Sequence, residues 1–203
     1  MADEHDHHDH DGHAHDERAH DEHAHDERDV EREARRLLAL SRIRQYGDSV
    51  LRMRAREIEI FDEDLERLVE RMTTLMHEAN GVGLAGTQVG VLRRVFVFVE
   101  DGEDRVIVNP VVTSSSKETE TDDEGCLSLR DVLVPVERSV SVTIEGVDAK
   151  GEPVTFELEA PASRVVQHEL DHLDGVLIID RTSDEARREA LATLRPQPVL
   201  GAR

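Results

Sequence analysis

Residues 161–175 read PASRVVQHELDHLDG. Pro161-Ala162-Ser163 opens a helix that is expected to run to about Leu173, because proline suits a first helical turn. On it, His168 and His172 stand at i and i+4, one turn apart on one face, and can grip one metal ion. Glu169 follows His168 directly and is close enough to reach a water on that ion. A metal lowers the pKa of its water toward ~7, and a neighbouring carboxylate can take the proton. Other regular elements precede and follow this helix in the sequence.

Those elements can be read outward from it. Val140–Ile144 and Val154–Leu158 alternate as half-buried strands do, and Asp148-Ala149-Lys150-Gly151 between them makes a hairpin turn. Further upstream, Val95–Val99 (VFVFV) and Val106-Ile107-Val108, ahead of Asn109-Pro110, are apolar runs of strand length. Thr113–Asp123 is polar and reads as a loop. Asp62–His77 carries apolar residues at Leu65, Leu68, Val69, Met72, Leu75 and Met76, the spacing of an amphipathic helix, ended by Asn80-Gly81 and Gly83. Glu31–Leu40 is helix-like, Tyr46-Gly47-Asp48 is a turn, and Asp184 onward forms a charged terminal helix closed by Pro196 and Pro198. Helices and antiparallel strands are segregated along the chain, which indicates an α+β fold.

The 203 residues carry a net charge of −21, from 25 Lys+Arg against 46 Asp+Glu. That balance disfavours a nucleic-acid binder, which needs clustered cations. No apolar run approaches the ~20 residues that cross a bilayer. The acidic N-terminus, with no apolar stretch behind it, is not a secretory signal. The charge is unevenly spread. Residues 1–29 hold 12 acidic and 2 basic side chains and 9 of the 12 histidines, and 9–18 (DHDGHAHDER) nearly repeats as 19–28 (AHDEHAHDER). With nothing apolar larger than alanine between Ala2 and Asp29, this segment is expected to be a disordered tail. Its histidines and carboxylates suit weak metal binding. Residues 30–203 are expected to form the folded domain.

The His168/His172 pair needs a third ligand. A metzincin would place histidine where Ile178 stands. A peptidase of the other common kind would use a downstream glutamate, for which Glu185 and Glu189 are available. The better candidate is the chain's one cysteine, Cys126, in Glu124-Gly125-Cys126-Leu127-Ser128. One thiolate and two imidazoles leave a fourth position open, as a catalytic site requires. A third segment, Gly81-Val82-Gly83-Leu84-Ala85-Gly86-Thr87-Gln88, lets backbone approach a ligand closely, and Gln88 offers an amide donor. It is not a phosphate loop, since no Lys-Ser/Thr follows it.

Taken in order, GVGLAGTQ (Gly81–Gln88), EGCLS (Glu124–Ser128) and QHELDH (Gln167–His172) resemble the three signature motifs of the peptide deformylases. The resemblance runs from about Ile43 to Thr182 and takes in GDSVLR (Gly47–Arg52), the strand end VNP (Val108–Pro110) and HLDG (His172–Gly175). It implies antiparallel sheets packed around a central metal-binding HExxH helix, with an amphipathic N-terminal helix and a C-terminal helix. It implies a cytoplasmic, monomeric hydrolase that takes the formyl group from the N-terminal formyl-methionine of nascent polypeptides, with the ribosome as a candidate partner. Cys126, His168 and His172 would hold the metal, natively Fe(II) and replaceable by Zn or Ni. Glu169 would be the general acid/base, with Gln88 and the Leu127 N–H holding the oxyanion. Val82, Gly83 and Gly125 would line the substrate. Arg138 falls where the family often has a basic residue near the substrate. Arg130 and Ser49 replace family prolines, and Gly86-Thr87 replaces the more frequent Ala-Pro. The rival readings are a zinc peptidase with Glu185 or Glu189 as third ligand, and a metal-binding or metal-delivery protein working through its tail.

Overall fold

The computed structural model describes residues 29–195. The His/Asp-rich segment ahead of Asp29, and Pro196 and Pro198, lie outside the described residues. The expected boundary at residue 29 falls on a helix, α1, which covers residues 29–42.

Three further helices follow: α2 (Glu63–Glu78), α3 (Ala162–Leu173) and α4 (Asp184–Leu194). Asp62 caps α2 by accepting from the backbone N–H groups of Asp64 and Leu65, and Ser183 caps α4 by accepting from that of Ala186. The strands are β1 (Gly83–Ala85), β2 (Val95–Glu100), β3 (Glu103–Ser115), β4 (Thr119–Cys126), β5 (Leu129–Ser139), β6 (Ser141–Val147) and β7 (Pro153–Glu159). They form a five-stranded sheet in the order β1-β2-β3-β6-β7 and a two-stranded sheet, β4-β5, with every pairing between strands antiparallel. The fold is α+β. Helix α3 touches β1, β2 and β7 of the larger sheet and β5 of the smaller one, so both sheets wrap the HELDH helix.

Three apolar clusters hold this arrangement. Met72, Leu75 and Met76 of α2 pack with Leu84, Val95 and Val97, with Ala39 and Leu40 from the end of α1 and with Ile43 just after it. On the other face of β2, Phe96 and Phe98 join Ile107, Ile144 and Leu158 against Val166 and Leu173 of α3. Leu129, Val132, Val134 and Val136 of β5 meet Ile178, Ile179 and Ala190 around α4. Each such side chain, removed from water, contributes roughly 1.5–3 kcal/mol.

Two expectations are corrected. First, the polar stretch 113–123 is strand rather than loop. β3 continues to Ser115 and β4 begins at Thr119. Residues 111–115 and 119–123 are exposed on both faces, so polar side chains carry no penalty there, while the backbone is paired with β6 and β5. Second, Asn109-Pro110 does not end a strand. Asn109 has φ 52°, the ladder shifts register beside it, and its side-chain amide stands in for a backbone pair with Ile58, giving and receiving bonds of 2.8 Å. Strand β5 had no counterpart in the sequence reading. Val132, Val134 and Val136 face inward, but outward-facing Leu133 and Pro135 hide the alternation.

Candidate active site

Helix α3 delivers His168 and Glu169 to a cleft of about 810 Å³ and sets His172 one turn on from His168, buried beside it. Cys126 arrives from the end of β4. There the ladder slips, so that Gly125 faces Leu133 while Cys126 faces Leu129, and this bulge turns the cysteine toward the helix. The thiol, His168 and His172 each present one ligand atom, all within 4.8 Å of one another. Cys126 Sγ lies 3.2 Å from His172 Nε2, and the Ser128 N–H donates to the same sulfur at 3.4 Å.

His168 is aimed by its other ring nitrogen. Its Nδ1 is 3.0 Å from Glu124 Oε2, which leaves Nε2 for the ion. Glu124 is itself buried and accepts from Arg138 Nε at 2.9 Å, Arg138 Nη2 at 3.0 Å and Arg164 Nη1 at 2.9 Å. Arg138 also donates to Asp171 on α3 at 2.7 Å, and Asp171 accepts from Arg181. Burial alone would raise the Glu124 pKa. The bonds from His168 and Arg138 outweigh it and hold the carboxyl down at about 2.

Glu169 is the opposite case. Its Oε2 is buried without a hydrogen-bond partner. Burial is the main influence and, with Glu124 adding repulsion, pushes the carboxyl up to about 7, although His168 pulls the other way. A cation seated beside it would favour the ionised form again. Across the cleft, a Cβ on Gly83 would overlap the Glu169 carboxyl, with Cδ only 2.9 Å away. No side chain fits at Gly83 unless Glu169 moves. Gln88, in the short 3₁₀ turn Gly86–Val89 after β1, is pinned at both ends. Its Oε1 accepts from the Ala85 N–H at 2.8 Å, and its Nε2 donates to Ser128 Oγ at 3.2 Å while lying 3.7 Å from Cys126 Sγ. Val82, Gly125 and Leu127 line the same cleft.

The donor set suits a resident metal. A thiolate and two imidazoles within reach of one ion, beside a buried carboxylate oxygen with no partner, is what a catalytic divalent site needs. Comparison with known proteins points the same way. Residues 40–188 match the family model described as polypeptide deformylase. The chain belongs to the peptide deformylase family.

Among deformylases of known sequence, the chain is 46% identical to that of Thermotoga maritima over 146 residues, covering 72% of this chain and 89% of the other. It is 43% identical to peptide deformylase 1 of Corynebacterium glutamicum over 162 residues, covering 78% and 96%. The crystal structure of the Thermotoga maritima enzyme superposes with a TM-score of 0.68, covering 70% of this chain and 97% of that one. A deformylase from Legionella pneumophila, 37% identical, gives 0.72 over 75% of this chain and 91% of its own. Peptide deformylases are metal-dependent hydrolases that remove the formyl group from the N-terminal methionine of nascent polypeptides, and this is the activity of the present deformylase.

All nine residues expected at the site meet in this deformylase, at its metal cluster or along its cleft. Three readings change. Arg138 does not line the cleft. It is 6% exposed and locked between Glu124 and Asp171, so a strand-end residue serves as the buried counter-ion of the metal helix. Glu185 and Glu189 are exposed on α4 and are not part of the ligand cluster, which removes the peptidase's third ligand. Glu124 aims His168, and the sequence reading gave it no role. No periodicity marks it as buried, and the only hint was its place beside Gly125-Cys126.

Proposed function

We propose that Cys126, His168 and His172 hold one Fe(II), replaceable by Zn or Ni, and that Glu169, Gln88 and Leu127 work around it on a formyl-methionyl peptide. The observation that carries this is the unpartnered Glu169 carboxylate set against three convergent ligands. When bound, the ion would supply a Lewis acid and make a water more acidic. Glu169 would take a proton from the attacking water and hand it to the amide nitrogen as the formyl C–N bond breaks. Water is consumed, and formate and a free amino terminus are released. Gln88 Nε2, on a side chain pinned by its own bond to Ser128 Oγ and by the Ala85 N–H at Oε1, and the Leu127 N–H receive the formyl oxygen as charge builds on it. One such preorganised donor is typically worth ~3 kcal/mol.

Strand β1 ends its sheet, so its outer edge is free to pair with an extended peptide. Backbone pairing with Val82–Ala85 binds many sequences alike, and the close approach at Gly83 brings the scissile bond beside Glu169. Gly125 and Leu127 line the facing wall. One chain carries every residue of this site, so a monomer suffices. A nascent-chain substrate supports the reading of a cytoplasmic enzyme that works near the ribosome. No helix among the described residues is long and apolar enough to cross a membrane. The His/Asp-rich segment ahead of α1 is read as a separate, weak metal buffer.

The test is formate release from a formyl-methionyl peptide by anaerobically purified protein whose metal is measured, beside Glu169→Gln. We expect one iron per chain in both proteins, and a variant slower by at least a thousandfold. A Glu169→Gln enzyme with near-normal kcat would overturn the assignment of Glu169. Wild-type protein holding no iron would overturn that of the metal.

A further inference from the structure

The cleft has a wall that the catalytic motifs do not supply. Glu33, Arg36, Leu37 and Leu40 of α1 line the same cleft as Cys126, His168 and Glu169. Their spacing of three, four and seven residues puts them on one helical face. The helix is fixed there by its C-terminal end: Ala39 and Leu40, with Ile43 just beyond, are buried against Met72 and Met76 of α2. Most of α1 precedes the segment that matches the family model, residues 40–188. Three of the four wall residues, Glu33, Arg36 and Leu37, therefore lie outside the segment that the family model matches.

Exposure grades along this cleft. Glu169 and Gln88 at its floor are 4% and 1% exposed, whereas Leu37 and Val82 at its mouth are 51% and 58% exposed. A peptide whose formyl end reaches the floor must leave through the mouth, past both residues. Arg36, paired with Glu33 at 3.0 Å, borders the same exit. We propose that α1 is a substrate-reading wall, in which Leu37 packs on the polypeptide downstream of the formyl-methionine. This rests on the deformylase reading of the cleft, and its occupant is the nascent chain itself. A half-exposed leucine at the mouth of a binding cleft gains by being covered, and an extended peptide presents side chains to the cleft wall at alternate residues.

The experiment compares two substrates, formyl-methionine amide and a formyl-methionyl tetrapeptide with apolar third and fourth residues, on full-length metal-loaded protein. Leu37→Ala should lower kcat/KM for the tetrapeptide about fivefold through KM alone, and leave the amide unchanged. Leu38→Ala is the control. Leu38 is 57% exposed on the same helix, makes the same change in side chain, and does not line the cleft, so it should alter neither substrate. Independently of turnover, a methionyl peptide with a photoreactive side chain at its third or fourth residue should label α1 in the wild type, and Leu37→Ala should reduce that labelling. Equal losses on both substrates would place Leu37 in the methionine pocket and overturn the proposal. So would no loss on either, a matching loss in Leu38→Ala, or labelling that spares α1. Wild-type protein that releases formate from neither substrate would sink the deformylase reading instead, and the labelling would still decide whether α1 meets the peptide.

Discussion

Replacing Glu124 by glutamine keeps the shape of the side chain and removes its charge. Four bonds converge on this carboxylate, two from Arg138, one from Arg164 and one at His168 Nδ1. Breaking one side of a buried ion pair typically costs 3–5 kcal/mol. Here Arg138 keeps Asp171 at 2.7 Å and Arg164 keeps two backbone carbonyls, so the low end, about 3 kcal/mol, applies. The depressed acidity leads to the same figure. A carboxyl held at about 2 instead of 4.5 is worth on the order of 3 kcal/mol in favour of the charged, folded form. For a domain of this size that is a fall in Tm of roughly 6–12 °C near pH 7. Because the folded-state pKa is lowered, this stabilisation is complete above about pH 5 and fades as pH falls toward 2. The difference between wild type and variant should shrink in the same window. The charge also fixes the ring of His168, so metal affinity should drop about 10–100-fold. Denaturation of the metal-free proteins reads the first effect, and competition with a chelator reads the second. A variant within 1 kcal/mol of wild type and with unchanged metal affinity would falsify the view that Glu124 organises the site.

Two further outcomes follow from the same structure. Burial pushes the Asp180 carboxyl up, but its bond to Arg52 and the Leu177 N–H at 2.9 Å outweigh this and lower its pKa. Asp180→Asn should therefore lose stability at neutral pH and match wild type once both are below the carboxylate range; a constant difference from pH 7 to pH 2 would contradict this. Deleting residues 1–28 should remove several weak Ni or Zn equivalents seen by calorimetry at about pH 7.5, while leaving one tight equivalent and kcat nearly unchanged. A weak class that survives the deletion would refute the buffer reading.

The local code of this protein is plain in its sequence. His168 and His172 share a face because a helix turns once in 3.6 residues, and Pro161 and Asn80-Gly81 mark where the helices begin and stop. The motif residues Gln88, Cys126 and Glu169 announce their chemistry by type, since few side chains can donate to an oxyanion, ligate as a thiolate or carry a proton. What stayed hidden depends on contacts between distant segments. Polar β4 is a strand only because β5 pairs with it, and strand propensity is mostly a statement about neighbours. Arg138 looks like a surface charge until Glu124 and Asp171, distant in sequence from each other, close on it. Glu169 owes its raised pKa to burial beside a glycine that lies 86 positions earlier in the chain. The face that α1 turns to the cleft was set by where Leu40 could be buried. Periodicity and residue chemistry are properties of a short stretch of chain. Burial, charge pairing and the direction in which a face points belong to the packed whole, and only the tertiary structure decided them.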